Sequence, residues 1–340
     1  MKTDKNKIKV GIVGASGYTG FELLRILLSH ENISSEIEIF SRNSKNEKIS
    51  SQFPHLKHSN LHFSNKSILE IAKCCDCVFL ALPHGESIQY IKQISQYTKI
   101  IDLSADLRLQ NEDLHKKYYP NTEFNEYLSQ FFTYGFIEKD KNAIIAAKHI
   151  SNPGCFALCS QLCILPFKNI AKSIDIFAIT GSSGGGKVPS TKAHHPSRVN
   201  NLFSYNINAH RHMGEIFQSF PNIPFNFIPS SGSFVRGIFA NLIIKTRDNI
   251  NSDIINKMLL NAFHDAKFVR VMEKNIELVN IVASNFFDIS YQILDEKTLI
   301  IQGVLDNLVK GASGNSIQCM NLMFGFDENA GLKYINPIYP

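Results

Sequence analysis

The sequence predicts an α/β protein of two domains, a doubly wound parallel sheet followed by an α+β domain with a mainly antiparallel sheet. Its 340 residues exceed the usual size of a single domain. Short apolar strands alternate with helical patterns up to about residue 150. Long β-rich stretches with few helices follow, and this change of pattern is typical of a second, α+β domain.

The elements of the first half follow in alternating order. Apolar runs predict strands at 8–14, 36–40, 77–82, 99–103 and 144–147, and apolar residues at helical spacing predict helices at 19–30, 66–73 and 86–96. This order is typical of a Rossmann-type nucleotide-binding domain, which we predict over residues 1–152.

The second half, residues 153–310, has a different pattern. A helix is expected from Cys155 onward and another over 251–265. The β-rich stretches are 174–180, 225–228, 235–246, 267–271, 279–291 and 297–302. The tail 311–325 predicts a last helix, which can return to complete the first domain.

Composition excludes several classes of function. Hydrophobic residues make up 44% and charged residues 19%, which is typical of a soluble globular protein. No window approaches the roughly 18 apolar residues of a membrane span, and the N-terminal stretch lacks the features of a signal peptide, so we expect a cytoplasmic protein. The net charge is +5 without basic blocks; this argues against nucleic acid and suits an anionic substrate or phosphorylated cofactor.

The seven cysteines are expected to be free thiols, because their odd number shows no disulfide-type framework. Cys155, Cys159 and Cys163 fall on one helix face, but in an apolar run where cysteine usually packs as a small hydrophobe. We therefore predict no metal site.

A glycine-rich loop follows the first strand and opens the first helix. Such a turn lets backbone approach a pyrophosphate at the helix N-terminus. The spacing G-x-x-G-x-x-G also occurs without nucleotide, but the position at the first β-α junction favours a dinucleotide. The predicted cofactor-binding residues here are Gly11, Gly14, Ala15, Ser16, Gly17, Tyr18, Thr19 and Gly20.

The end of the second strand selects the cofactor. NAD sites place a carboxylate there for the ribose hydroxyl, whereas this chain has Ser41 and Arg42. A hydroxyl and a guanidinium favour a 2′-phosphate and hence NADP(H); the alternative is a solvated basic loop. Pro83 and His84 follow another strand and are expected to line the same cleft, although His84 can instead cap the next helix.

Cys155 follows Asn152-Pro153-Gly154 where a turn becomes a helix. A helix N-terminus favours a thiolate, so we predict a nucleophile; a buried structural cysteine is the alternative. The segment containing His210, His212 and Glu215 offers two candidate acid-base groups. It can equally be a surface cluster without a role.

Other polar segments are less specific. His194-His195 is a second histidine pair that competes with the first. Arg108 and Arg236 are candidates for binding a phosphate or carboxylate, with a structural ion pair as the alternative for each. Ser182–Lys187 does not match a P-loop, and a flexible loop that shapes the active site is the preferred interpretation.

Taken together, the chain resembles the N-acetyl-γ-glutamyl-phosphate reductase family, which is related to aspartate-semialdehyde dehydrogenase. The likeness runs nearly end to end. It is carried by the segments GIVGASGYTG, LALPHG, DLSADLRL, NPGCFA, HRHMGEI, VRGIFA and DNLVKGASGNSIQCMNLMFG.

The resemblance implies NADPH-dependent reductive dephosphorylation of a γ-acyl phosphate through a thioester on Cys155. It makes His210 or His212 the acid-base, Glu215 a substrate-orienting residue and Arg108 the phosphate ligand. Ser183, Gly184 and Asn321 complete the predicted cofactor-binding set, and Arg236 stays a candidate substrate ligand. Residues 311–340 are implied to return to the first domain, and 153–310 to form catalytic and dimer or tetramer contacts.

Two departures bear on the substrate. Gly214 stands where the family usually has proline, and the loop GSSGGGK differs from the common form. His194 to Arg198 is more similar to the archaeal branch, whose members reduce glutamyl or 2-aminoadipyl phosphates attached to an acidic amino-group carrier protein. We therefore favour a carrier-linked substrate, with the acetylated one as the alternative.

Two other hypotheses stay open. Aspartate-semialdehyde dehydrogenase would perform the same chemistry on a shorter substrate, and turnover of aspartyl phosphate alone would identify it. A non-catalytic NADP-binding redox sensor would use the same cysteine, but it would need no paired acid-base and anion sites.

Overall fold

The computed structural model describes residues 7–42, 44–191 and 194–333, so the ends of the predicted first domain, 1–6 and 334–340, lie outside the described residues. The first sheet has strands β1 (Val10–Val13), β2 (Glu38–Phe40), β3 (Cys77–Leu80), β4 (Lys99–Asp102), β5 (Phe132–Tyr134) and β6 (His149–Ser151). They lie in the order β2-β1-β3-β4-β6-β5, and every neighbouring pair is parallel. The predicted Rossmann-type sheet is confirmed.

Helices cover both faces of this sheet, as a parallel sheet requires. The helices of this half are α1 (Tyr18–Leu27), α2 (Ile68–Cys74), α3 (Ser87–Ile94), α4 (Glu112–Tyr118), α5 (Glu126–Ser129) and α6 (Lys141–Ala146), of which α4 packs into the core of the second half. The start of α2 shows why the chain turns helical there. Ser67 accepts from the Glu70 amide (3.3 Å), and Glu70 accepts from the Ser67 amide (2.7 Å), which satisfies two free donors of the first turn.

One predicted strand is wrong. Most of 144–147 belongs to α6, which begins after Asp140, whose carboxylate accepts a hydrogen bond from the Ala143 amide (3.0 Å). Ile144 is buried while Ile145 is 49% exposed, so the apolar pair does not lie in a two-sided buried strand. The N-terminal cap decides the local structure here, and β5 and β6 supply the missing strands.

The second sheet is mixed. Its strands are β7 (Ala171–Thr180), β8 (Phe203–Ser204), β9 (Phe225–Ser231), β10 (Ile238–Thr246), β11 (Val269–Val271), β12 (Phe287–Asp295) and β13 (Thr298–Leu305). The order is β11-β12-β13-β10-β7-β9-β8, with β7/β9 and β11/β12 parallel and the other pairs antiparallel. The predicted stretch 279–291 becomes a strand only from Phe287, because a 3₁₀ turn occupies Leu278–Asn280.

The helices of this half are α7 (Cys155–Ile164), α8 (His195–Arg198), α9 (Met213–Ser219) and α10 (Ser252–Phe263). Helix α7 is almost wholly buried, and its side chains share one hydrophobic core with alternate residues of β10 such as Leu242 and Ile244. The first residue of α7 therefore has a fixed position relative to both sheets.

The C-terminal segment returns to the first sheet. A π-helical turn, Val309–Ser313, leads into α11 (Gly314–Met323). Ile317 and Met320 belong to the same hydrophobic core as Val10 and Leu23. Among the described residues, no helix is long and apolar enough to cross a membrane.

Candidate active site

A cleft of about 810 Å³ opens where the first sheet, the start of α7 and the loop after β7 meet. Its walls contain Cys155, His212 and Arg108. They also contain most of the predicted cofactor residues: Ser16, Gly17, Tyr18, Thr19, Gly20, Pro83, His84, Ser183 and Gly184. The carboxyl ends of parallel strands are the usual position of a ligand cleft in such sheets.

The glycine loop has the geometry that a dinucleotide needs. Gly14 has φ +89°, and a Cβ there would meet the Ala81 carbonyl. A Cβ at Gly20 would meet the Gly14 carbonyl, whereas one at Gly17, which caps α1, would make only an ordinary contact with that carbonyl at 3.7 Å. The first amides of α1 therefore face the cleft without a covering side chain, which fits a pyrophosphate.

Arg42 lies at the end of β2, outside the cleft lining and half exposed. Its guanidinium lies over the Tyr90 ring (5.2 Å to the centroid) and donates to the Tyr90 hydroxyl (2.5 Å). It also pairs with Glu86 at 3.2 Å. The guanidinium is thus held at the strand end where a ribose 2′-substituent is expected.

His84 belongs to the cleft and not to a helix cap. Its Nδ1 accepts a hydrogen bond from the Ala105 amide (2.9 Å), and α3 has no side-chain cap. Burial, followed by the charges of Arg211 and Arg108, lowers the pKa of His84 to about 3. It is therefore neutral at physiological pH.

Cys155 is the first residue of α7 and lines the cleft, while Cys159 and Cys163 are fully buried in the core. Burial raises the pKa of the Cys155 thiol to about 11, partly opposed by Arg108 and by the Phe156 amide. The acidic thiol expected from a helix start is therefore not found in the protein without ligands, because desolvation outweighs the helix and the arginine.

Two neutral histidines adjoin this thiol. His212 lines the cleft, and Gly154 leaves the space that its ring fills, since a Cβ there would overlap the imidazole. His210 lies behind it, with 4.7 Å between ring centroids, and its Nδ1 accepts from the His212 amide (3.2 Å). Burial lowers the pKa of His210 to about 4 and that of His212 well below its usual value.

The competing pair is not brought to the site. His194 and His195 are exposed, at the start of α8, and neither lines the cleft. Only the pair on the loop before α9 lies near Cys155.

Glu215 is wholly buried and anchors the turn that carries the nucleophile. Its carboxylate accepts from the Gly154 amide (2.8 Å) and the Tyr134 hydroxyl (2.7 Å), and it pairs with Arg108 at 3.3 Å. It lies outside the cleft lining. The geometry therefore fits a positioning residue better than the substrate-orienting role that the resemblance implies.

Arg236 requires a correction. Its Nε and Nη2 donate to Asp306 (2.9 and 3.1 Å), Nη1 reaches Glu22 at 3.4 Å, and it does not line the cleft. The structural ion pair, which was the alternative interpretation, accounts for this arginine inside an apolar segment.

Two of the residues predicted to bind the cofactor, Asn321 and Gly11, lie outside the cleft. Asn321, a buried residue of α11, bonds to the His30 ring (2.9 Å) and to the carbonyls of Glu328 (3.2 Å) and Ala330 (2.9 Å). Gly11 packs against Ile71 and neighbouring side chains within the sheet. Neither lies in the cleft lining, and the contacts described for both lie within the protein.

Three cleft residues were missed by the sequence reasoning. Arg211 lies exposed between the two histidines. Lys187 reaches across to the Ser16 carbonyl (3.4 Å), and Asn307 bonds to Ser183 (2.9 Å). The motifs contained these residues, but a motif does not tell which of its side chains face the cleft.

Comparison with known proteins identifies the fold and family. Residues 9–146 match the model described as "Semialdehyde dehydrogenase, NAD binding domain", and 155–307 match "Semialdehyde dehydrogenase, dimerisation domain". An N-acetyl-gamma-glutamyl-phosphate reductase of Methanosarcina barkeri is 36% identical over 96% of this chain and 98% of its own. A Pyrococcus horikoshii protein, provisionally named a LysW-linked L-2-aminoadipate/L-glutamate phosphate reductase, is 35% identical over 98% and 99%.

The fold is also that of solved structures. Aspartate semialdehyde dehydrogenase II of Vibrio cholerae superposes with a TM-score of 0.70 at 15% identity, covering 93% of this chain and 98% of that one. The match to the NAD-binding model confirms the predicted nicotinamide dinucleotide cofactor. The chain therefore belongs to the N-acetyl-γ-glutamyl-phosphate reductase family of NAD(P)-dependent semialdehyde dehydrogenases.

Proposed function

We propose that this protein reduces an amino-blocked γ-glutamyl or δ-(2-aminoadipyl) phosphate to the semialdehyde with NADPH, in arginine or lysine biosynthesis. One observation carries the proposal. The Cys155 thiol and the His212 ring lie in the same cleft as the glycine loop at the start of α1. A nucleophile, a neutral base and a dinucleotide site are the parts that this chemistry requires.

The reaction begins at the thiol. A neutral histidine accepts the proton of Cys155, and the thiolate attacks the acyl carbon, which forms a thioester and releases phosphate. NADPH supplies the hydride that reduces the thioester. The tetrahedral alkoxide then collapses to the aldehyde as the carbon–sulfur bond breaks, and the same histidine returns its proton to the departing thiolate, which restores the Cys155 thiol.

Both His210 and His212 remain candidates for this proton transfer. His212 lines the cleft, whereas His210 is not among the lining residues and packs against the His212 ring. Their lowered pKa values leave each imidazole neutral, which is the form that accepts a proton.

NADPH, rather than NADH, is proposed from Ser41 and Arg42. No carboxylate occupies these positions at the end of β2, and the Arg42 guanidinium is held there by Tyr90. A guanidinium binds a 2′-phosphate in a bidentate fashion, which a ribose hydroxyl cannot match.

For the blocking group we propose the carrier-linked form, as the segment His194 to Arg198 suggested, with the acetylated substrate as the alternative. Relatives with either name are about equally similar to this chain, so an assay must compare them. We also propose a homodimer or homotetramer formed through the second sheet, in line with the description of the matched model.

The decisive experiment replaces Cys155 by Ser and follows NADPH oxidation with carrier-linked glutamyl and aminoadipyl phosphates beside the acetylated glutamyl compound. We expect loss of turnover with NADPH binding retained. The matched control is Cys74→Ser, which alters an exposed thiol outside the cleft. Substantial turnover by the Cys155 variant would refute the nucleophile, and turnover of aspartyl phosphate alone would refute the substrate class.

A further inference from the structure

The cleft that contains Cys155 is lined by positive charge without negative charge. Its charged side chains are those of Arg108, Lys187 and Arg211, and no carboxylate is among the described residues that line it. The imidazole of His212 is neutral, because burial lowers its pKa. The cleft therefore suits ligands that carry several anionic groups.

Two of the three cations act on the nucleophile, and the third reaches the opposite wall. Burial raises the pKa of the Cys155 thiol, and the charges of Arg108 and Arg211 oppose this effect. Lys187 lies on the loop after β7, and its Nζ donates to the carbonyl of Ser16 at 3.4 Å. The lysine of the second domain thus contacts the glycine loop of the first.

Ser16 lies at the beginning of α1, directly before the N-terminal cap residue Gly17. No side chain caps this helix, and its first turn contains no acidic residue. The first amides of α1 are therefore left for the pyrophosphate of a dinucleotide. An ammonium within hydrogen-bond distance of the Ser16 carbonyl lies beside the place of that anion.

The Lys187 ammonium can exchange its present partner for a stronger one. The Ser16 carbonyl is its one partner among the described residues, and 3.4 Å is long for a hydrogen bond. Two glycines precede the lysine, and a Cβ at Gly185 or Gly186 would meet nothing within 4 Å. This open loop lets the ammonium turn from a neutral carbonyl to a phosphate oxygen, which binds it about twice as strongly.

We propose that Lys187 binds the diphosphate of the nicotinamide dinucleotide and so holds the cofactor between the glycine loop and the loop after β7. The diphosphate is the anion expected at the start of α1, where the ammonium lies. The 2′-phosphate is expected beside Arg42 at the end of β2, and the acyl phosphate of the proposed substrate beside Cys155. Lys187 has this role whichever acyl phosphate is reduced, since the dinucleotide is common to all of them.

Fluorescence titrations of Lys187→Gln with NADPH and with NADH test the proposal, because both contain the diphosphate and only NADPH contains the 2′-phosphate. The Kd should rise about tenfold for each of the two, since a hydrogen bond to a charged group is lost. Glutamine keeps an N–H donor for the Ser16 carbonyl and removes only the charge. Lys187→Arg keeps the charge and should bind both within about threefold of the wild type.

Lys172→Gln is the matched control, since it removes one positive charge from an exposed position of β7 outside the cleft. It should change neither Kd. An unchanged Kd for NADPH in Lys187→Gln would overturn the proposal, and so would an equal loss in Lys187→Arg, which would show that the charge is not responsible. A loss confined to NADPH would assign Lys187 to the 2′-phosphate instead and would also overturn it.

Discussion

Replacing Glu215 by Gln removes one negative charge from beneath the nucleophile while keeping the shape of the side chain. The carboxylate accepts hydrogen bonds from the Gly154 amide and the Tyr134 hydroxyl and pairs with Arg108. The Gly154 amide and the Tyr134 hydroxyl share Oε2, whereas Arg108 faces Oε1. An amide has only one acceptor oxygen, so its NH₂ group must face either Arg108 or both of the other donors. Arg108, 5% exposed, would also lose the anion beside it.

The structure sets the expected magnitudes. Removing one partner of a buried ion pair costs about 3–5 kcal/mol in the free energy of unfolding, which a protein with about 5–15 kcal/mol can survive. Either orientation of the amide disturbs the contacts that hold the Gly154 turn, and a displacement of about 1 Å at the reacting atom costs about 10²-fold in activity. We therefore expect kcat/KM to fall by about that factor in a folded protein.

The reactivity of the Cys155 thiol should increase in this variant, whereas its stability and kcat/KM decrease. Burial is the main reason that the pKa of Cys155 is raised, and the Glu215 charge raises it further against the effect of Arg108. Glu215→Gln should lower this pKa, so iodoacetamide should react faster with the variant than with the wild type at pH 8.

The assays are urea unfolding, steady-state kinetics and the rate of alkylation by iodoacetamide. The matched control is Glu112→Gln, which changes a carboxylate paired at 2.9 Å with Lys116 on the surface of α4 and should change none of the three. Wild-type stability and activity in Glu215→Gln would refute the idea that this buried carboxylate positions the nucleophile. Slower alkylation would refute the expectation that the Glu215 charge raises the pKa of the Cys155 thiol.

Three further predictions test other parts of the structure. In the free wild type, alkylation of Cys155 should accelerate about tenfold per pH unit from pH 7 to 9, because a raised pKa leaves little thiolate at neutral pH; a plateau below pH 8 would contradict this. Glu86→Gln should tighten NADPH binding about two- to fivefold, because Arg42 loses a competing carboxylate at 3.2 Å. A fluorescence titration measures this, and equal tightening of NADH binding would show that the 2′-phosphate is not involved. Lys310→Met should lower the free energy of unfolding by about 3–5 kcal/mol, because it leaves the buried carboxylate of Glu138 unpaired; urea unfolding should show much of this restored when Glu138→Met is added.

Much of the first domain could be predicted from the sequence, because parallel strands are continuous apolar runs and the glycine loop has a fixed place after the first of them. The exception at 144–147 shows the limit. Four apolar residues fit a strand or a helix equally well, and the carboxylate of Asp140 decides between them.

The functional side chains were predictable as residue types and less so as roles. Cys155 and His212 lie in the cleft as predicted. Arg236 was an equally good candidate in sequence, but its partners, Asp306 and Glu22, are distant along the chain. No local pattern reveals a long-range ion pair. Arg211 was overlooked because the motif that contains it does not show that its side chain faces the cleft.

The departure at Gly214 has a steric explanation that only the structure supplies. A Cβ at this position would lie 2.8 Å from the Tyr118 ring and 2.9 Å from Leu109. Helix α4 therefore packs directly against the backbone of α9, and a proline ring would not fit without displacing it.

The measurement that tests the central claim most directly is a single turnover with the acyl phosphate in the absence of NADPH, followed by peptide mass spectrometry. The mechanism predicts about one equivalent of phosphate released per active site and an acyl group attached to the peptide that contains Cys155. Adding NADPH should remove the acyl group as aldehyde. Phosphate release without an adduct, or an adduct on another cysteine such as Cys74, would contradict a thioester at the start of α7.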